Sequence, residues 1–394
     1  MKAFLLAGAA VAAAMATPAA AGLGDWSLSP WTTNLSNLSL TVGGHANGTA
    51  FAVDQPAAPG LDQTSVSGAA TLTTTLERDY DSGLTLALKG AFEIYHDRLS
   101  GDHYGSDFVQ KVYATAQTGL GRVEIGMTDG AAYTLAVVGP VVDDETTMDN
   151  TNATFFRDPS TGRAFVNVFA LNSAVESSLN YAKLSYYTPR LFGVQLAASY
   201  TPSEGKDVIP FVSGGPLVAN RQQNIWEAVV SYSDTFGPVS LGAYGGGAFA
   251  HADSATKTAG HEGLTEWSVG SEIDYNLNDD VKLAVGGAYR ESNAYAFNIN
   301  NVLAQGVTSS AHLSATMSYG PWIVGGEYGD GTAEGTPKLG VRGTSASLGY
   351  VFNANLQATV GWQELRYSRN VGVFYNGAPR INMNAVFLHL KLHI

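Results

Sequence analysis

The chain contains no cysteine, which removes disulfide frameworks and thiolate metal centres and suits a protein that crosses an oxidising compartment. Charge is scarce as well: Asp, Glu, Lys and Arg make up 14% of the 394 residues, with a formal net charge of −13. An acidic balance excludes nucleic acid as a partner, because that needs a basic footprint. Beyond Gly22 no run of eighteen or more consecutive apolar residues occurs, which excludes a helical membrane protein, and 45 glycines oppose long helices of any kind.

What remains is organised at both the N-terminus and the strand level. Lys2, the apolar stretch from Ala3 to Met15 and the small residues Thr17, Pro18, Ala19, Ala20 and Ala21 have the order of a cleaved secretory signal over residues 1–21. Residues 22–394 are then expected to form one domain outside the cytoplasm. Along it, tyrosine recurs near strand ends, at Tyr200, Tyr232, Tyr244, Tyr275, Tyr289, Tyr319, Tyr328 and Tyr350. Each segment between carries an apolar face of about nine to eleven residues, the length a tilted strand needs to cross hydrocarbon.

The spacing predicts strands near 37–53, 64–78, 84–96, 108–118, 122–129, 178–188, 194–201, 224–233, 239–250, 264–275, 281–290, 309–319, 322–329, 342–352, 356–367 and 381–394. Sixteen is an even number, as a single-chain barrel with both ends on one side requires. Short connections such as Asp81-Ser82-Gly83, Gly320-Pro321 and Asn353-Ala354-Asn355 alternate with long ones, the longest about 130–177.

Alternation assigns faces. Trp267, Val269, Ile273 and Tyr275 oppose Glu266, Ser268, Glu272 and Asp274. A soluble β-sandwich alternates too, but has no need of aromatic rings at both strand ends. Tyr186, Tyr232, Tyr275, Tyr319 and Phe352 would form one girdle; Ile94, Tyr200, Tyr244, Tyr289, Tyr328 and Trp362 would form the other. The last segment alternates up to Ile394 and is expected to close the sheet against Leu38, Leu40 and Val42. The expected fold is all-β: a transmembrane, antiparallel, up-and-down β-barrel of 16 strands.

Together with the strand count, loop asymmetry and terminal strand, two phrases carry a resemblance: Gly121-Arg122-Val123-Glu124-Ile125-Gly126 before the long loop, and Tyr187-Thr188-Pro189-Arg190-Leu191-Phe192-Gly193-Val194-Gln195-Leu196 around a tight turn. The chain resembles general outer-membrane porins of the alphaproteobacterial type, over essentially its mature length. It departs from them in ending on Ile394 rather than an aromatic residue.

The resemblance implies a homotrimer in the outer membrane, in contact with lipid and lipopolysaccharide, whose third long loop folds into the lumen. It also implies passive diffusion of small hydrophilic solutes and ions through a water-filled channel, with no enzymatic activity. In this setting Asp143, Asp144, Glu145 and Asp149 would form the acidic side of a constriction, and Lys89, Lys111, Arg122 and Lys183 a basic wall across from it. Such an arrangement sets up a transverse field over a narrow aqueous gap. The bland alternative is that these are solvated lumen or rim residues.

Other chemistry is thin. A sugar- or anion-selective channel would draw on the loop aromatics Tyr133, Phe155 and Phe156, whereas a barrel enzyme would need a Ser, His and Asp set that no motif proposes. An adhesin would have a plugged lumen. His389 and His393 alternate on one face and would be able to touch a metal, though a structural or lumen-facing role fits better. No cofactor is expected; Asp143-Asp144-Glu145 with Asp149 and Asn150 offers oxygen ligands for calcium but lacks EF-hand spacing.

Overall fold

The computed structural model describes residues 30–35, 37–56, 63–96, 109–148, 155–156, 171–203, 222–252, 263–293, 296–297, 303–304, 307–333, 339–369 and 380–394. The expected signal segment and Asp149 lie outside these residues. The strands are β1 (Trp31–Leu35), β2 (Leu38–Asp54), β3 (Thr64–Asp79), β4 (Thr85–His96), β5 (Val109–Thr118), β6 (Gly121–Met127), β7 (Ala182–Tyr187) and β8 (Val194–Ser203). They continue as β9 (Gln222–Phe236), β10 (Val239–Ala252), β11 (Thr265–Asn276), β12 (Val281–Ser292), β13 (Ala296–Phe297) and β14 (Leu303–Ala304). The last are β15 (Thr308–Tyr319), β16 (Trp322–Ala333), β17 (Leu339–Asn353), β18 (Leu356–Arg369) and β19 (Arg380–His393), and one helical turn, α1 (Ala131–Thr134), follows β6.

Sixteen of these strands, β2 to β12 and β15 to β19, form the expected barrel, each paired antiparallel with its neighbours. β19 pairs with β2 from His393 opposite His45 to Asn384 opposite Asp54, so the sheet closes and no backbone edge is left for lipid. The small hairpin β13–β14 stands apart.

Closure differs from expectation in place. Leu38, Leu40 and Val42 pair with the additional strand β1, not with β19. The chain turns back on itself before entering β2, and β1 takes over that edge where β19 runs out beside Gly44.

Burial is the reverse of a soluble protein's. On β11 Glu266 and Ser268 are buried while Trp267, Val269, Ile273 and Tyr275 are exposed; on β19 His389 and Lys391 are buried and Leu390 is exposed. The apolar side chains point at lipid and the polar ones inward. A slip of one residue on β12 would turn the buried Arg290 outward and its apolar neighbours inward, so alternation itself pins the register. Among the described residues no helix is long and apolar enough to cross a membrane; the strands do the crossing.

Aromatic pairs sit at the rims: Tyr200 with Trp226 (ring centroids 4.5 Å apart), Trp267 with Tyr289 (5.3 Å) and Trp322 with Tyr350 (4.6 Å). Tyr244 is an exception to the expected girdle. It shares the inward face of β10 with the buried Ala248, and its hydroxyl donates to the carbonyl of Ser173 at 3.2 Å. Its even position on the strand, opposite in parity to the lipid-facing Phe249, decides this.

Candidate constriction of the lumen

The long segment after β6 enters the barrel and follows its inner wall. Its backbone groups have left the sheet and need partners, since buried peptide groups without hydrogen bonds are costly. The inward side chains of the wall supply them. At α1 the N–H of Ala131 donates to Ser199 Oγ and that of Ala132 to Glu227 Oε2, both at 3.1 Å. Further on, His312 Nδ1 meets the Val138 carbonyl at 3.0 Å, and Gln357 Nε2 donates to the Val142 carbonyl at 2.9 Å.

The segment then returns. Met148 N–H donates to Glu327 Oε2 at 3.1 Å, Ser310 Oγ donates to the Asn172 carbonyl, and Glu176 N–H reaches Glu266 Oε1 at 3.4 Å. Three inward glutamates, Glu227, Glu266 and Glu327, thus each hold a backbone N–H of the loop.

Glycine makes room for this lining. A Cβ at Gly242 would meet Val137; at Gly325 or Gly349, Val142; at Gly343, Met148; and at Gly329, Leu171. All five lie on inward positions of β10, β16 or β17, so the wall is bare where the loop presses on it. Gly139, at φ +110°, lets the loop backbone come down on Gly286, where a side chain would collide with the strand.

Two apolar contacts fix the loop at either end. Ala131, Ala132 and Val175, with Leu135 to Val138 beside them, pack on Ile225, Val229 and Tyr244. Met148, Phe155, Phe156 and Leu171 pack on Phe51, Val341, Tyr367, Met383 and Phe387. Phe155 stacks on Phe387 at 5.1 Å and tilts against Phe51 at 5.3 Å. Both loop phenylalanines are buried there and present no aromatic ledge to a solute.

The acidic residues near the loop's tip meet β19. Asp143 Oδ2 lies 2.8 Å from His389 Nδ1, and Glu145 Oε2 lies 3.4 Å from His389 Nε2. Lys391 pairs with Asp144 and, at 3.6 Å, with Glu145, while Asn47 Nδ2 also donates to Glu145. Burial alone would raise the Asp143 carboxyl; the hydrogen bond and charge of His389, the Glu145 N–H and Thr359 outweigh it, and Asp143 is held below its ordinary range. For Glu145 burial also pushes upward, and His389, Lys391 and His45 together bring it down.

The side chain of Asp144 remains 73% exposed, against 1% for Asp143 and 21% for Glu145, so Asp144 is the acid of this group that presents its charge to water. His389 and Lys391 were not assigned to this cluster from sequence; their inward alternation on the terminal strand was the available signal.

The four basic residues are placed differently from one another. Lys183 is buried and donates to the carbonyls of Thr128, Ser178 (3.3 Å) and Leu179 (2.6 Å), closing the turn by which the loop re-enters the sheet. Lys111 pairs with Asp129 at 2.5 Å. Arg122 pairs with Glu124 at 3.0 Å and lies over the Tyr187 ring, 4.4 Å from its centroid. Lys89 on β4 is opposite Thr75 and Tyr113, and among the described residues it has no ion-pair partner. Lys89, Lys111 and Arg122 therefore stand on one wall, with Asp129 and Glu124 among them, while Lys183 serves the loop itself.

Among the described residues no group of three His, Cys, Asp or Glu side chains is placed to hold a metal. Asp143, Asp144 and Glu145 face His389 and Lys391 instead.

A family model described as Gram-negative porin matches residues 7–387. Comparison with curated proteins by sequence returned no match. Among solved structures, an anion-selective porin from Comamonas acidovorans superposes with a TM-score of 0.58 at 14% identity, covering 91% of this chain and 100% of that one. A loop L8 deletion mutant of OmpT, an outer membrane protein of Vibrio cholerae, gives 0.56 at 11% identity over 91% and 100% of the two chains. A substituted Rh. blastica porin gives 0.51 at 15% identity, over 90% and 100%. At such identities these likenesses speak for the fold, and the family match over nearly the whole chain speaks for what the fold is used for. The chain belongs to the Gram-negative porin family and forms an outer-membrane channel for passive diffusion.

Proposed function

We propose that small hydrophilic solutes and ions pass through a slot between the loop edge at Asp144 and the inner wall of β3 to β6, with a weak preference for cations. The observation that carries this reading is the one-sided course of the loop. Among the described residues it is bonded to inward residues of β8 to β19 and reaches Asn47 and Phe51 on β2, and none of these contacts falls on the face with Thr73, Thr75 and Lys89. On that wall Lys111, Arg122, Asp129 and Glu124 neutralise one another pairwise and Lys89 is left over, so the lean toward cations rests on the exposed Asp144 at the loop edge together with the chain's net charge of −13.

Three copies are proposed to associate through the outer face of β2 and β3. Ala46, Gly48, Ala50, Ala52, Gly68 and Ala70 make it flatter than the Leu, Val and Trp belt elsewhere, with Val66 as its one large projection among them, and small residues let protein backbones approach closely within lipid. The remaining belt would meet lipid and, on the long-loop side, lipopolysaccharide.

Single-channel recording in a planar bilayer tests both parts. Ohmic openings arriving in groups of three, with a reversal potential of cation sign that moves toward zero in Asp144→Asn, are expected. A silent bilayer would remove the proposed slot, and solitary openings would remove the trimer.

A further inference from the structure

Four histidines stand on inward positions of β2, β15 and β19: His45, His312, His389 and His393. Two are fully engaged. His312 bridges the Val138 carbonyl and Glu327 at 3.0 and 3.1 Å, and His389 lies between Asp143 and Glu145 at 2.8 and 3.4 Å. The rings of His45 and His393 have no hydrogen-bonded partner among the described residues; each has the other ring beside it.

The register explains how close they come. His393 is directly opposite His45 in the β19–β2 pairing. Next to them Gly44 and Ile394 exchange both backbone hydrogen bonds, at 3.0 and 2.8 Å. The two histidines thus occupy a non-hydrogen-bonded pair, the position at which Cα atoms approach to about 4.5 Å and side chains on one face come nearest. Their ring centroids are 6.1 Å apart and the planes are tilted by 44°. Both face the lumen: Lys391, two residues before His393, reaches Asp144, and Asn47, two residues after His45, reaches Glu145.

We propose that His45 and His393 form an open, two-imidazole site for a divalent transition-metal ion, on the lumen wall just to the short-turn side of the loop tip. Imidazole nitrogen binds such ions at about 2.0–2.1 Å, which places the centroids of two rings on one ion about 5–6 Å apart. A small side-chain rotation closes the difference. Water completes the coordination, since no third ligating side chain is grouped with the pair among the described residues.

Imidazole selects copper, nickel and zinc, whereas magnesium and calcium prefer oxygen. Asp144 and Glu145 lower the cost of bringing a dication here, and Lys391 partly offsets them. An ion held beside the slot would repel other cations and reduce their current, an effect that rests on the slot proposed above.

Binding and conduction are measured separately on the full-length, detergent-solubilised protein. Titration calorimetry with Zn²⁺, Cu²⁺ and Ni²⁺ should show one saturable site per chain, tightest for Cu²⁺, with no heat from Mg²⁺. Loss of even a ligand's supporting partner commonly weakens a metal site 10–100-fold, so His45→Ala and His393→Ala should each weaken binding by at least about tenfold, and the double variant should abolish it. Retained strand content on heating shows that the variants are folded. In bilayers, micromolar Zn²⁺ should lower the cation current of the wild type and not that of the double variant. The site is refuted by a wild type without saturable binding, or by a double variant that binds as the wild type does. Saturable binding that leaves the current unchanged supports the site and counts against the slot.

Discussion

The two halves of the barrel's inner surface are built on opposite rules. From β8 round to β19 the wall is indented by glycine, studded with the buried Glu227 and Glu266 and the half-buried Glu327, and covered by the loop. From β3 to β6 it carries Thr73, Thr75, Lys89, Lys111 and Arg122, and the described part of the loop meets it near its root, where Lys111 pairs with Asp129 and Asn180 Nδ2 donates to the Gln110 carbonyl. The first half behaves as a protein core, in which inward glutamates hold backbone N–H groups of the loop and apolar loop residues pack on the wall. The second is a surface turned inward. A constriction needs both: a rigid edge and a wetted face opposite.

Removing the core-like half should have the largest consequences. Phe155→Ala deletes a buried ring from the contact with Phe51 and Phe387, and Phe156→Ala one that packs edge-on to Phe155 in the same cluster, each at about 3–5 kcal/mol by analogy with other core truncations. The loop should lift from the wall, and bilayer recordings should show larger, noisier openings. A Leu283→Ala change on the lipid face of β12 serves as the comparison and should leave the current as it is.

Next in size is His389→Ala, which strands the buried Asp143 carboxylate without its partner and weakens the tip's attachment by about 3 kcal/mol. Conductance should rise, while His389→Ala combined with Asp143→Asn should regain much of the wild-type value. Absence of that recovery would show that the pair is not what holds the tip.

Acid should act on the same place. Both carboxyls are depressed in the folded state from ordinary values of 3.8 for Asp143 and 4.5 for Glu145. Their stabilisation is therefore fully present above those values and is lost as pH falls through the lower, folded ones. The groups facing them are His389, Lys391, His45 and Thr359. Conductance measured from pH 7 downward should stay level until below about pH 4 and then change in the direction of His389→Ala.

The smallest effects belong to the bare half. Lys89→Gln should shift the reversal potential slightly toward cations and leave loop attachment, judged by current noise, untouched. Asp143→Asn should do the reverse, altering conductance more than selectivity. If the two behave alike, the inner surface is not divided as described.

Much of this was legible residue by residue. The sequence Glu266-Trp267-Ser268-Val269 already states which face of β11 meets lipid, and the structure agrees. Tyr244 misled because an aromatic at a strand end was read without its parity, and Lys183 because its alternation said inward but could not say that Thr128, Ser178 and Leu179 wait there. The inward glycines at 242, 325, 329, 343 and 349 were a trace of the loop's path, visible only once the register was known.

The order of side chains by itself determined a closed, lipid-embedded barrel, because a period of two over strands of fixed length is a local property that every segment repeats. Which acid meets which base was settled only in three dimensions. Asp143 and His389 are 246 positions apart, and no local periodicity relates them. They meet because closing the sheet brings the last strand beside the first and the loop is long enough to cross the lumen to it.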